Sequence, residues 1–131
     1  MKVLIVDDNR DAADSLAVLV RVVLDYEVCV RYSGESAIAT AGDFRPDVVI
    51  LDVNMPGLDG LQTARILKTD RRLERKTFVA HTAEDGVFVR KVASRMGFHQ
   101  VVAKGSPSAV SELIDLLSDV ESAMRDHMQP R

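Results

Sequence analysis

The chain has 131 residues, 47% hydrophobic and 28% charged, with 17 basic and 20 acidic side chains and a net charge of −3. That length suits one domain with a proper core, and neither the charge balance nor any basic tract supports direct nucleic-acid binding. Cys29 is the only cysteine, so no intrachain disulfide can form. The opening apolar run, residues 3–6, yields to Asp7 and Asp8 too early for a signal peptide or a membrane span. A soluble cytoplasmic protein is expected, with Cys29 a buried, inert thiol.

In chain order, residues 3–6 read as a strand ending in Asp7-Asp8-Asn9. Residues 11–24 carry Leu16, Leu19, Val20 and Val23 at helical spacing. A second strand spans 28–32, and Ser33 reads as the N-cap of a helix through Ala41, with Ala37, Ile38 and Ala41 on one face and Gly42 ending it. Val48, Val49, Ile50 and Leu51 form a continuous aliphatic run suited to a strand buried on both faces, and it closes on Asp52. Residues 58–69 give a third helix with Leu61, Ala64 and Leu67 inward, and the charged run 70–76 reads as a solvated loop. Residues 77–80 form a fourth strand leading to His81, Thr82 and Ala83, and 85–96 a fourth helix stopped by Gly97. Residues 101–103 form a fifth strand leading to Lys104 and Gly105. Ser106 as N-cap and Pro107 at the first helical position open a fifth helix, striped by Val110, Leu113, Ile114, Leu117, Val120 and Met124. Pro130 falls in a short polar tail.

Strands alternating with helices predict an α/β domain built on a parallel sheet. Right-handed crossovers then set every strand's C-terminal end on one edge. Asp7, Asp8, Asp52, Thr82 and Lys104 are distant in sequence, yet the fold should gather them at the rim where open α/β sheets bind ligands. Neighbouring carboxylates repel one another, so a cation among them is expected. Oxygen-only ligands suit Mg²⁺, with Mn²⁺ able to substitute. An acid closing a buried strand is costly unless its charge is used. Asp52 therefore reads as a nucleophile that accepts a phosphoryl group and becomes an acyl phosphate. Lys104 supplies a second positive charge and Thr82 a hydroxyl donor.

Competing readings are weaker. Asp52 capping a turn leaves its four companions unexplained. Dehalogenase-like phosphatases need a second aspartate two residues on, where this chain has Asn54. No phosphate-binding glycine loop follows the first strand. His81, His99 and His127 lack ligand spacing and read as structural or exposed, and the basic residues from Arg65 to Lys76 as a solvated face.

These residues resemble the receiver domain of two-component response regulators, the family of the chemotaxis regulators, over nearly the whole chain. The features that carry the likeness are Asp7-Asp8, Asp52 within LDVNMPGLDG, the pair Thr82-Ala83, and Lys104, in that order and each at a strand end. The resemblance implies one doubly wound, flavodoxin-like (βα)5 domain with strand order 2-1-3-4-5, spanning residues 1–124 and followed by a tail, 125–131. It implies Asp7, Asp8, Asp52 and the backbone carbonyl of Asn54 as Mg²⁺ ligands, Asp52 as phosphoacceptor, and Lys104 and Thr82 as catalytic partners. The donor would be the phosphohistidine of a histidine kinase or histidine phosphotransfer protein. The receiver would catalyse its own phosphorylation and slow dephosphorylation, as a switch rather than a turnover enzyme. A downstream protein partner would use the face of the fourth helix, fifth strand and fifth helix.

Two features depart from the family pattern. Val101 stands where an aromatic residue usually accompanies Thr82 in the switch, and Gly105 follows Lys104 where a proline is usual. His99, on the face of Val101 by strand alternation, is a substitute candidate. The departures motivate an alternative, a phosphorylation-independent module that keeps the fold.

Overall fold

The computed structural model describes residues 1–83 and 86–128, except the side chains of residues 127 and 128. Its elements alternate as β1 (Lys2–Val6), α1 (Arg10–Leu24), β2 (Glu27–Arg31), α2 (Gly34–Phe44), β3 (Val48–Leu51), α3 (Gly60–Leu67), β4 (Thr77–Thr82), α4 (Val87–Arg95), β5 (Gln100–Ala103) and α5 (Ala109–Met128). The strands form one parallel sheet in the order β2-β1-β3-β4-β5. The expected architecture and strand order are therefore the observed ones.

The aliphatic runs explain why β1 and β3 lie at the centre. Val3 to Val6 and Val48 to Leu51 are each at most 1% exposed, because helices cover both faces of the sheet. Alternation sends Leu4, Val6, Val49, Leu51, Phe78 and Ala80 to a layer shared with α2, α3 and α4. It sends Val3, Ile5, Val48, Ile50, Val79 and Val102 to the layer of α1 and α5. Each buried Val, Leu, Ile or Phe among them contributes about 1.5–3 kcal/mol.

Helix ends depart from expectation in several places. Gly42 does not end α2; the helix runs to Phe44 and closes on Arg45 in the left-handed region, φ 54°. The third helix begins at Gly60, held by a capping box in which Asp59 and Gln62 satisfy each other's backbone N–H groups. Ser106 caps a turn through the Ser108 N–H, and Pro107 lies in that turn, so α5 starts at Ala109. The fourth helix starts at Val87, while Asp85 and Pro130 lie outside the described residues. Gly97 follows α4 with φ +86°, as a helix stop requires. Residues 125–128 continue α5. Val23 and Val110 are exposed rather than inward, at 54% and 50%, because each sits at the margin of its helix's apolar stripe. Leu73, within the charged 70–76 loop, is buried, and Cys29 is half-buried rather than fully enclosed because β2 is an edge strand.

That edge is covered by two arginines. Backbone groups of Glu27 and Arg31 bond to the β1 side, through Met1 and Asp7. Alternation turns the groups of Val28 and Val30 outward. The Arg21 guanidinium donates to the Val28 carbonyl at 3.0 Å and that of Arg31 to the Val30 carbonyl at 2.7 Å. An unpaired strand edge is a template for association with another chain. Such bonds are each worth about 1 kcal/mol and must break before the edge can pair. The double substitution R21A/R31A should therefore strengthen self-association by about thirtyfold, read by analytical ultracentrifugation. An unchanged sedimentation profile would refute this role.

His81 lies between the sheet and the α1–α5 layer, beside a cavity of about 260 Å³ lined by Leu16, Leu19, Ala109, Val110, Leu113 and Lys104. Burial holds its pKa down to about 4, and the Lys104 charge pushes the same way. The unfolded chain takes up this proton near the ordinary value of about 6.5, so the folded state loses stability as pH falls from there towards 4. The loss should approach about 3 kcal/mol. H81L should flatten the acid limb of the melting temperature over that window. A slope identical to the parent's would remove His81 as its cause.

Candidate functional site

The sheet places three strand ends together. Asp7 follows β1, Asp52 follows β3, and Lys104 follows β5. The Lys104 Nζ lies 2.6 Å from Asp7 Oδ2 and 3.0 Å from Asp52 Oδ2, so one ammonium joins the two carboxylates. The other oxygen of each acid is held by its own loop. Asp7 Oδ1 accepts the Asn9 N–H at 3.0 Å, and Asp52 Oδ1 accepts the Asn54 N–H at 3.1 Å. Asn9 meanwhile caps α1 by accepting the Ala12 N–H, so the β1–α1 loop is fixed at both ends. Lys104 is fixed too: its backbone N–H donates to the Thr82 carbonyl at 2.8 Å, tying the end of β5 to the end of β4.

Asp7 and Asp52 are buried at 3% and 7% exposure, and Asp8 is exposed. One carboxylate oxygen from each of the three lies within 4.8 Å of the others. Burial raises the Asp52 pKa; Lys104 opposes this shift and Asp7 adds to it. Burial pulls the Lys104 pKa down, but hydrogen bonds and charge attraction from Asp7 and Asp52 prevail and its net shift is upward. Two buried acids sharing one ammonium leave negative charge uncompensated, and Asp8 adds more at the mouth. An oxygen-only cluster with that excess fits a hard divalent cation such as Mg²⁺.

The remaining expected residues are distributed as follows. Thr82 closes β4 with no exposed surface. Asn54 reaches the site through its backbone N–H, while the residue itself is exposed. Val101 lies away from the acids, 7% exposed in the layer containing Ala93 and Phe98. His99 is exposed, and its Nδ1 accepts the Phe78 N–H at 3.2 Å, which pins the start of β5 to β4. A Cβ at Gly105 would meet open space, so the backbone there does not demand glycine.

Gly60 has a part the sequence reading missed. A Cβ on it would collide with the Asp52 carbonyl oxygen, so only glycine lets α3 begin directly against the strand end. Its N–H donates to the Val53 carbonyl at 2.9 Å and closes the loop from Asp52 to α3. Gly60 ends a conspicuous turn in the sequence, but the close approach follows only from the three-dimensional path.

The chain is similar to known proteins in sequence and in fold. A response regulator receiver protein of Anaeromyxobacter sp. (strain Fw109-5) is 36% identical over 114 residues, which is 86% of this chain but 45% of that protein. Protein PilG of Pseudomonas aeruginosa is 26% identical over 87% of this chain and 82% of its own length. The chain thus spans less than half of the first relative and most of the second. Among solved structures, the chemotaxis response regulator CheY4 of Vibrio cholerae superposes with TM-score 0.80 at 26% identity, covering 91% of this chain and 97% of that one. The BeF3-activated receiver domain of Klebsiella pneumoniae RstA gives 0.79 at 27% identity, covering 92% and 98%. Residues 3–118 match the family described as the response regulator receiver domain, and the chain belongs to that family.

Proposed function

We propose that this receiver domain accepts a phosphoryl group on Asp52 from the phosphohistidine of a histidine kinase or phosphotransfer protein, and that the change signals to a protein partner. The observation that carries the reading is the Lys104 ammonium shared between Asp7 and Asp52, at 2.6 and 3.0 Å, on the rim of the sheet. In this reading an Asp52 carboxylate oxygen forms the new bond to phosphorus. The bond from phosphorus to the donor imidazole breaks, and its electron pair leaves with the imidazole. Asp7, Asp8, Asp52 and the Asn54 carbonyl would hold Mg²⁺, with Mn²⁺ as a substitute. When bound, that cation neutralises charge on the phosphoryl oxygens.

Lys104 already lies against Asp52 and can follow the incoming oxygens without leaving the rim, since its stem is flexible. The Thr82 hydroxyl is assigned to another of those oxygens, which fits its place one backbone bond from Lys104. The receiver unit is taken as residues 1–124, working in the cytoplasm. Its partner face is assigned to α4, β5 and α5, where Val87, Phe88 and Val110 are exposed at 72%, 78% and 50%. Thr82 and Val101 are assigned to the switch, with Val101 lacking the ring that would swing in the usual family pattern.

A second reading, a phosphorylation-independent interaction module, draws on Val101 and Gly105. Two measurements separate them. With acetyl phosphate and Mg²⁺, the parent chain should take up label and D52N should take up none; label that persists on D52N would move the acceptor elsewhere. Beryllofluoride with Mg²⁺ should shift the amide resonances of Thr82 and Val101. Silence at both amides would favour the phosphorylation-independent module.

A further inference from the structure

The loop that leaves the acidic rim is contacted by a residue that belongs to none of the strands. Glu35 lies in the first turn of α2. Its carboxylate Oε1 accepts the backbone N–H of Leu58 at 3.2 Å, bridging 23 residues of sequence. The junction is close-fitting. Gly57 has φ +74°, and a Cβ there would stand 2.8 Å from Glu35 Oε1. Gly34, the neighbour of Glu35, is buried. A Cβ on it would stand 3.0 Å from both Cβ and the carbonyl oxygen of Leu58, and would collide with Thr63 Oγ1. The first turn of α2 is therefore seated directly on the Gly57-Leu58 peptide.

That peptide ends the segment that begins at Asp52. At the near end, the Asn54 N–H holds Asp52 Oδ1 at 3.1 Å. Between the ends, Val53 and Met55 are anchored in the core at 6% and 8% exposure, and Pro56 fixes its own φ. Glu35 bonds at the turn of this segment, where Gly57 takes φ +74°. We infer that Glu35 is a positioning residue for the site: by fixing the Gly57-Leu58 turn it sets the Asn54 peptide, which holds the Asp52 carboxylate and offers its carbonyl to the cation. The inference rests on the proposed function for the cation, but not for the Asn54–Asp52 contact.

The test compares E35A and E35Q with the parent chain by Mg²⁺ titration and by the amide resonances and hydrogen exchange of Asn54 and Leu58. Outer partners of metal ligands commonly alter affinity by tenfold or more, so E35A should bind Mg²⁺ about tenfold more weakly. Its Leu58 and Asn54 amides should both shift and exchange faster. E35Q keeps an oxygen that can accept the Leu58 N–H and should stay within about twofold of the parent. If E35A loses the Leu58 bond yet keeps parental Mg²⁺ affinity and an unchanged Asn54 amide, the inference is overturned. An E35Q as weak as E35A also overturns it, because charge rather than the accepted bond would then be acting. A parent chain that binds no Mg²⁺ would refute the metal reading. The Asn54 amide would then decide for Glu35: a change in E35A alone upholds the inference, and no change overturns it.

Discussion

The structure turns on one ammonium group placed between two buried acids. Lys104 reaches Asp7 and Asp52 from the end of an edge strand, and the two acids end the central pair. Buried carboxylates so near each other would be untenable without a positive charge. Lys104 meets that need only in part, because one cation faces two anions. The sheet keeps the residual imbalance in place: its central strands are fully buried, and the loops behind the acids are closed by Asn9, Asn54 and Gly60. A rim in this condition attracts a hard cation.

Much of this was legible in the sequence because it depends on short-range pattern. The aliphatic run Val48 to Leu51 suits a central strand, and the polar residue that ends it marks the sheet edge. Once the strands are parallel, Asp7, Asp52, Thr82 and Lys104 must meet. Other features depend on the path of the chain through space. Nothing local to Glu35 reveals that it bonds to Leu58, and nothing local to Gly60 reveals the Asp52 carbonyl pressed against it. The helix margins misled for another reason. Val23 and Val110 continue an apolar spacing, but a helix packed on one face of a sheet buries a narrower stripe than the sequence offers.

The departures from the family pattern take physical form on β5. Val101 is packed among Phe98 and Ala93, and His99 is committed to the Phe78 backbone. Neither occupies the space of a large ring able to swing between buried and exposed positions. By contrast, Asp7, Asp52 and Lys104 meet directly at the rim.

The division of β4 between the two layers has a mechanical consequence. Ala80 and Phe78 face α2, α3 and α4, together with Val101, while Val79 and His81 face α1 and α5. By the period of the strand, Thr82 belongs with Ala80. A displacement of Thr82 towards the rim would thus be felt first on the α4 side. The sheet is a partition wall at β4: Thr82 shares its α4-side surface with Ala80 and Val101, while His81 shares the opposite surface with α1 and α5.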